Sequence, residues 1–377
     1  MIYLDNAATT KVDDVAIEKM IKVMKEEFGN PSALYDFGLQ SEKNLNYARK
    51  QVANALGVKE NEIYFTSGGT EGNNTAILGS LTGNKNEEFL TMPIEHSSVH
   101  KVYENIKDRK VQSLKVDKLG FLDLEDLKNK INENTRLVSV MHVNNEIGTI
   151  QNIEEIGNII KSKNKNTLFH VDGIPGFCKV PLNVKKAKID FYTMSAHKIH
   201  GPKGVGAIYV KEGVNLKPIL IGGGQEKGIS PGTENMPGIV AFGEVAEIAV
   251  KGLEENYKKA YELKRYLMEE LSKISDSLIN STLENSSPYI INASFKDVRG
   301  EVLLHFLEGD KIYVSTGSAC GKSKKSRVME AIHLPDGYEN GTIRISFSKY
   351  TTKEEVTIFI EKLTKYIEEI RSITRRD

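Results

Sequence analysis

The sequence predicts an α/β fold in two parts, a large domain on a mostly parallel sheet and a smaller α+β domain, and three observations carry this. Between about residues 40 and 250, short β-rich runs alternate with helical patterns, as in a sheet covered by helices. A length of 377 residues exceeds one ordinary core and suits two domains of roughly 100 to 200 residues. After a long helical stretch the texture changes to strands, which sets a boundary near residue 255. Residues 16–255 then form the large domain, and 1–15 with 256–377 the small one.

In chain order, Ser41 is placed to cap a helix with Leu45, Ala48, Val52 and Leu56 on one face, and Gly57 stands where that helix should stop. Strands follow at Ile63 to Phe65, Glu88 to Met92, Leu137 to Val143, Thr167 to Asp172, Phe191 to Met194 and Gly206 to Val210. From Gly238 to Ile274 the pattern is helical, with Gly243 and Gly252 as weak points. Further strands are expected at Tyr289 to Phe295 and Thr342 to Ser348. Thr352 and Glu355 form a capping box for a last helix. Its Val356, Phe359, Ile360, Leu363, Ile367 and Ile370 share a face that should pack on the small domain's sheet.

Lys+Arg and Asp+Glu both number 51, so no chain-wide field draws the protein to nucleic acid or to an anionic membrane. With 39% apolar and 27% charged residues and no repeat or low-complexity tract, the composition is that of an ordinary soluble protein. The start, MIYLDNAATT, has neither a basic segment nor an apolar stretch, and no run approaches the roughly 20 apolar residues of a membrane span. A cytoplasmic location is expected. Two cysteines, Cys178 and Cys320, make no disulfide framework, and no Cys/His cluster has metal-ligand spacing. Cys178, in Gly176-Phe-Cys-Lys-Val180, reads as a small buried hydrophobe. Cys320 lies in Ser315-Thr-Gly-Ser-Ala-Cys-Gly-Lys-Ser-Lys-Lys-Ser326, a loop composition. Lys322, Lys324, Lys325 and Arg327 surround it with positive charge that favours the thiolate.

Three features point to carbonyl-cofactor chemistry. Lys198 follows an apolar strand and precedes a glycine-rich turn, at a strand's carboxyl end where a side chain faces a cleft and an amine can condense with a carbonyl. Thr66-Ser-Gly-Gly-Thr-Glu-Gly-Asn-Asn74 links a strand to a helix, so the backbone N–H groups of Gly69 and Thr70 and the Thr70 hydroxyl can cradle a phosphate. Asp172 ends a strand, where a carboxylate can pair with a pyridinium nitrogen and keep it protonated. Arg344 lies in Thr342-Ile-Arg-Ile-Ser-Phe347 on the face opposite Ile343 and Ile345, and its planar fork suits a carboxylate.

Phosphate loop, Asp172 and Lys198, in this order, resemble the fold-type I pyridoxal-phosphate enzymes. Nine segments narrow the likeness: Tyr3-Leu-Asp-Asn-Ala-Ala-Thr-Thr10, Gly29-Asn-Pro-Ser32, Glu95-His-Ser-Ser-Val99, Val143-Asn-Asn-Glu-Ile-Gly148, Phe169-His-Val-Asp172, Ser195-Ala-His-Lys198, Gly232-Thr-Glu-Asn235, Ser315-Thr-Gly-Ser-Ala-Cys320 and Thr342-Ile-Arg-Ile-Ser-Phe347. Together they are similar to the motifs of the cysteine desulfurase family, across nearly the whole chain.

The resemblance implies a seven-stranded sheet, pyridoxal 5'-phosphate on Lys198, and conversion of L-cysteine to L-alanine with sulfur passing to Cys320 as a persulfide. It implies that His96 stacks on the pyridine ring and takes part in catalysis, and that Asn145 lies beside the cofactor's phenolic oxygen or the substrate. Ser195, His197 and Thr70 would bind phosphate, and Arg344 the substrate carboxylate. Thr233 would reach the cofactor of a partner subunit in a homodimer. The sulfur acceptor would be an iron–sulfur scaffold or a tRNA-thiolation enzyme, and the sequence does not identify it. Two alternatives stand beside this reading: another pyridoxal-phosphate lyase or transaminase, such as a selenocysteine lyase, and a sulfur-relay scaffold of low turnover. The chain departs from the family in three places. Pro175 replaces a Gln that donates to the phenolic oxygen, Ser230-Pro231 replaces Arg-Ser, and Tyr35 stands where a His is usual.

Overall fold

A computed structural model describes residues 1–316 and 326–374. Its elements run β1 (Ile2–Tyr3), α1 (Asp14–Lys25), α2 (Asp36–Leu56), β2 (Ile63–Thr66), α3 (Gly69–Gly79), β3 (Glu88–Thr91), α4 (Ser97–Asn105), β4 (Lys110–Ser113), α5 (Leu124–Lys130), β5 (Thr135–Met141), α6 (Ile153–Lys163), β6 (Leu168–Asp172), β7 (Phe191–Ser195) and β8 (Gly206–Val210). After these come α7 (Met236–Lys251), α8 (Leu253–Leu271), β9 (Ser277–Ile279), β10 (Ile290–Phe295), α9 (Gly300–Gly309), β11 (Ile312–Tyr313), α10 (Arg327–Ala331), β12 (Thr342–Ser346) and α11 (Lys353–Thr374).

The main sheet has seven strands in the order β2-β8-β7-β6-β5-β3-β4. β8 pairs antiparallel with both neighbours, and the other pairings are parallel. All the strands except β8 therefore end at one edge, the place where an open α/β sheet holds its ligand. Strand residues alternate between two cores. Leu137, Leu168, Phe191 and Ile208 pack on one face against Ala76, Ile77, Val99 and Val102 of α3 and α4. Val138, Phe169, Tyr192 and Ala207 pack on the other against α2, α6 and α7. With both faces covered, the strands read as continuous apolar runs.

A third core lies around the sheet β12-β10-β9. Ile2 and Leu4 join it, because β1 pairs with β11. Val356, Phe359, Ile360, Leu363, Ile367 and Ile370 of α11 are all buried there, and Thr352 and Glu355 exchange the two bonds of the expected capping box, at 3.0 and 3.2 Å. No helix among the described residues is long and apolar enough to cross a membrane.

Some expectations are corrected. Ser41 is not a cap: α2 begins at Asp36, and Ser41 is buried inside it with its hydroxyl 3.3 Å from the Glu27 carbonyl. Gly57 does end α2, at φ 74 in the left-handed region. The helical stretch after residue 235 is two helices, broken at Gly252. β12 does not alternate between buried and exposed faces; all five of its residues are buried.

Candidate active site

Asp172 is the last residue of β6, and Ser195 the last of β7, three residues before Lys198. The β3 strand delivers His96 and β5 delivers Asn145, each a few residues beyond its end. The N-terminal segment closes over the lysine. Lys198 Nζ donates to the carbonyls of Ala7 and Ala8 at 2.6 and 2.7 Å, and Thr10 bonds the carbonyl of His197 through both its N–H and its hydroxyl. Burial pushes the Lys198 amine down to about 7, and the charges of Arg344 and Lys179 push the same way against Asp5 and Asp172. A neutral amine in this place is a nucleophile and a base.

Asp172 is 1% exposed, and burial raises its pKa, opposed by His96, by its bonds and by Lys198. Its oxygens accept from Ile174 N–H at 3.1 Å and from the Asn73 amide at 3.0 Å. A carboxylate has about four acceptor positions, so room remains for a further donor. Asn73 also donates to Ser98 Oγ at 2.9 Å, and its carbonyl oxygen lies 3.1 Å from His170 Nε2. His170 continues through Ser139 to the Tyr103 hydroxyl, at 2.9 and 2.5 Å. Asn73, Ser98 and His170 lie within sequence motifs that assign them no role; their partnership needs the fold, since Asn73 and His170 lie 97 residues apart.

His96 caps α4, its Nδ1 accepting Ser98 N–H at 3.1 Å, and burial lowers its pKa. His197 is likewise held neutral, pushed down to about 4 by burial first and then by nearby lysines, with Nδ1 3.1 Å from Thr9 Oγ. Arg344, 2% exposed, donates to Asp5 Oδ1 at 2.7 Å and to the Asn145 carbonyl at 2.9 Å. Beside it, burial raises the Glu146 carboxyl, which accepts the Ser326 hydroxyl at 2.5 Å.

The structure thus brings Lys198, Asp172, His96, Asn145, Ser195, His197 and Arg344 to one edge of the sheet. Gly69 and Thr70 open α3 at the same edge, where the first-turn N–H groups have no intrahelical partner. A Cβ on Gly69 would stand 2.1 Å from Ile174 Cδ1, so a larger residue here requires the Ile174 side chain to move. Thr233 is exposed in the segment before α7. Cys320, Lys322, Lys324 and Lys325 lie outside the described residues.

Of the departures, Pro175 lines a small cavity together with Lys198, Lys179, Ala7 and Tyr289. Ser230 donates to Glu71 Oε1 at 2.6 Å, while Glu71 Oε2 takes the N–H and hydroxyl of Ser67, so the serine braces the loop that leads into α3. Tyr35 is exposed and precedes α2. The Cys178 thiol lies 3.9 Å from the Ala246 carbonyl and is half-buried rather than fully buried as expected, and desolvation pushes its pKa up, which disfavours the thiolate.

These residues fit pyridoxal phosphate. The neutral amine suits its carbonyl, the buried Asp172 carboxylate with spare acceptor positions suits a ring N–H⁺, and the glycine-closed start of α3 suits a phosphate.

The chain matches the family model described as Aminotransferase class-V over residues 2–359. It is 40% identical over 379 residues to a cysteine desulfurase IscS of Methanosarcina thermophila, covering 99% of this chain and 93% of that one. A solved NifS-like protein superposes with a TM-score of 0.93 at 39% identity, over 97% of this chain and 99% of the other. The structure titled SspA in complex with cysteine superposes at 0.82 with 30% identity, over 93% and 100%.

Proposed function

Because the chain belongs to the class-V aminotransferases, and within them to the cysteine desulfurases, we propose that it converts L-cysteine to L-alanine on pyridoxal phosphate and keeps the sulfur on Cys320 as a persulfide. The observation that carries this reading is Lys198, which follows β7 beside the end of β6 at Asp172, with its amine held on the Ala7 and Ala8 carbonyls and pushed down to about 7.

Lys198 would hold the cofactor, Asp172 would pair with its ring nitrogen, and Thr70, Ser195, His197 and the start of α3 would hold its phosphate. When bound, pyridoxal phosphate supplies an electron sink that loosens the bonds at Cα and the Cβ–S bond of an amino acid. Arg344 grips the substrate carboxylate with its fork, and Asn145 lies beside it. Lys198, which burial pushes down to about 7 and so leaves partly neutral near that pH, takes the proton at Cα. Cys320, as a thiolate, attacks the substrate sulfur: an S–S bond forms, the Cβ–S bond breaks, its electron pair stays with the carbon skeleton, and a proton completes the methyl group of alanine. The persulfide then passes to an acceptor protein, an iron–sulfur scaffold or a tRNA-thiolation enzyme, in the cytoplasm.

The reading includes a homodimer with Thr233 reaching the partner's cofactor. It is supported by large apolar side chains left exposed at Phe28, Leu34, Tyr35, Leu39, Tyr47 and Ile221, which a second copy would cover. Borohydride reduction of the purified protein followed by peptide mapping tests the cofactor. A pyridoxyl group on Lys198 is the expected result. A protein that takes up no pyridoxal phosphate overturns the reading.

A further inference from the structure

The cap of α4 is an imidazole where small polar side chains are usual. A backbone N–H can only donate, so the bond from Ser98 N–H requires a lone pair on His96 Nδ1, and a neutral ring then carries its proton on Nε2. The Ser98 hydroxyl lies 2.8 Å from the same nitrogen, and its direction follows from the far end of the network. An ionised Asp172 only accepts, so the amide nitrogen of Asn73 faces Asp172 and Ser98 while its oxygen faces His170. His170 must then donate from Nε2 and accept at Nδ1 from Ser139, which accepts in turn from Tyr103. Ser98 Oγ, already accepting from Asn73, sends its own proton to His96 Nδ1. Every bond in the chain is satisfied in one direction, and that direction ends on His96 as the Nε2–H form.

We propose that His96 works as a neutral imidazole that donates from Nε2 and is not a proton acceptor during turnover, which leaves the proton at Cα to Lys198. To become a cation the ring would have to take a proton on Nδ1, where two donors already point and where the positive end of the nine-residue helix α4 lies. Neutral imidazole electrophiles held by a helix N-terminus are known chemistry. The groups facing His96 act in both directions. Asp172 from the end of β6 favours the cation, while burial, Lys198 after β7 and Arg327 of α10 oppose it.

This inference rests on the proposed function, and its test separates the two. The full-length protein with its cofactor is labelled with ¹⁵N-histidine, and long-range ¹H–¹⁵N spectra are recorded from pH 6.5 to 9, with and without L-cysteine. The His96 signals are assigned by their loss in His96→Gln. The expected result is one Nε2–H tautomer throughout. An Nδ1–H tautomer, or an imidazolium that appears with substrate, overturns the proposal. Gln keeps an N–H donor near the Nε2 position and has no basic nitrogen, so His96→Gln should desulfurate at least tenfold faster than His96→Ala. Equal losses in the two, of the roughly 10²- to 10⁴-fold size of a missing general base, also overturn it. Absence of desulfuration in the wild type would refute the proposed function and leave the tautomer measurement intact.

Discussion

Replacing Arg344 by Ala removes two bonds that the structure makes and one that the mechanism needs. In the folded chain the guanidinium serves Asp5 and the Asn145 carbonyl from a nearly dry position. A hydrogen bond to a charged group contributes about 1.5–3 kcal/mol, and each 1.4 kcal/mol is about tenfold. Losing the clamp should therefore raise KM for L-cysteine roughly 10- to 150-fold. Breaking a fully buried ion pair from one side costs about 3–5 kcal/mol of stability; the Asp5 side chain retains 21% exposure, which places the cost at or below the low end of that range. Arg344→Lys keeps the charge and loses the fork, so its KM should fall between the two. Steady-state kinetics on cofactor-saturated protein, with a urea melt of each variant, separate binding from folding. Asp5→Asn is the control: it breaks the same ion pair and spares the guanidinium, so KM should not rise. An unchanged KM in Arg344→Ala, or an equal rise in Asp5→Asn, would refute the clamp.

Three other outcomes are expected. Lys264 is buried on Ser286 Oγ and the Ser287 carbonyl, and burial pushes it down to about 7; the unfolded chain keeps that proton to about pH 10.4, so unfolding takes up a proton between these values and the folded state gains as pH rises. Urea midpoints between pH 7 and 8.5 should rise more steeply in wild type than in Lys264→Met, and parallel slopes would contradict the assignment. Gly69→Ala drives a Cβ into Ile174, an overpacking cost of about 1–3 kcal/mol, with weaker retention of pyridoxal phosphate; adding Ile174→Ala should restore much of both, and no rescue would mean that the close approach is not the cause. Pro175→Gln, which puts a donor into the cavity that Pro175 shares with Lys198, should shift the pH midpoint of the bound cofactor's visible absorbance by roughly one unit, the equivalent of about 1.4 kcal/mol; superimposed titrations would place Pro175 away from the cofactor.

What the sequence disclosed follows from how far each signal reaches along the chain. Asp172, Ser195 and Lys198 were legible because each stands at or just beyond the end of an apolar run, and a strand's end is where a parallel sheet presents chemistry. The α11 capping box was legible because both partners sit within four residues. β4 went unread: Lys110–Ser113 is a polar, largely exposed edge strand without an apolar pattern. The reversal of β8 had a local signal that was missed, since only the ten residues 196–205 separate it from β7, fewer than a parallel crossover needs. Ser41 misled because its buried bond to the Glu27 carbonyl is tertiary, while the helix start at Asp36 follows the exposed Tyr35. The full burial of β12 depends on Leu4 and Ser315, which bond its backbone from distant parts of the chain. The Asn73–His170 pairing crosses from α3 to β6 in the same way, and no spacing rule reaches it.

Desulfuration turns on Cys320 as the sulfur acceptor, and a single-turnover experiment addresses it most directly. Protein carrying its cofactor is mixed with sulfur-labelled L-cysteine without reductant, and the peptides bearing Cys320 and Cys178 are weighed by mass spectrometry. One labelled sulfur on Cys320 for each alanine formed, with Cys178 unchanged, is the predicted result. Labelled sulfide in solution with Cys320 unmodified, at the same yield of alanine, would contradict it.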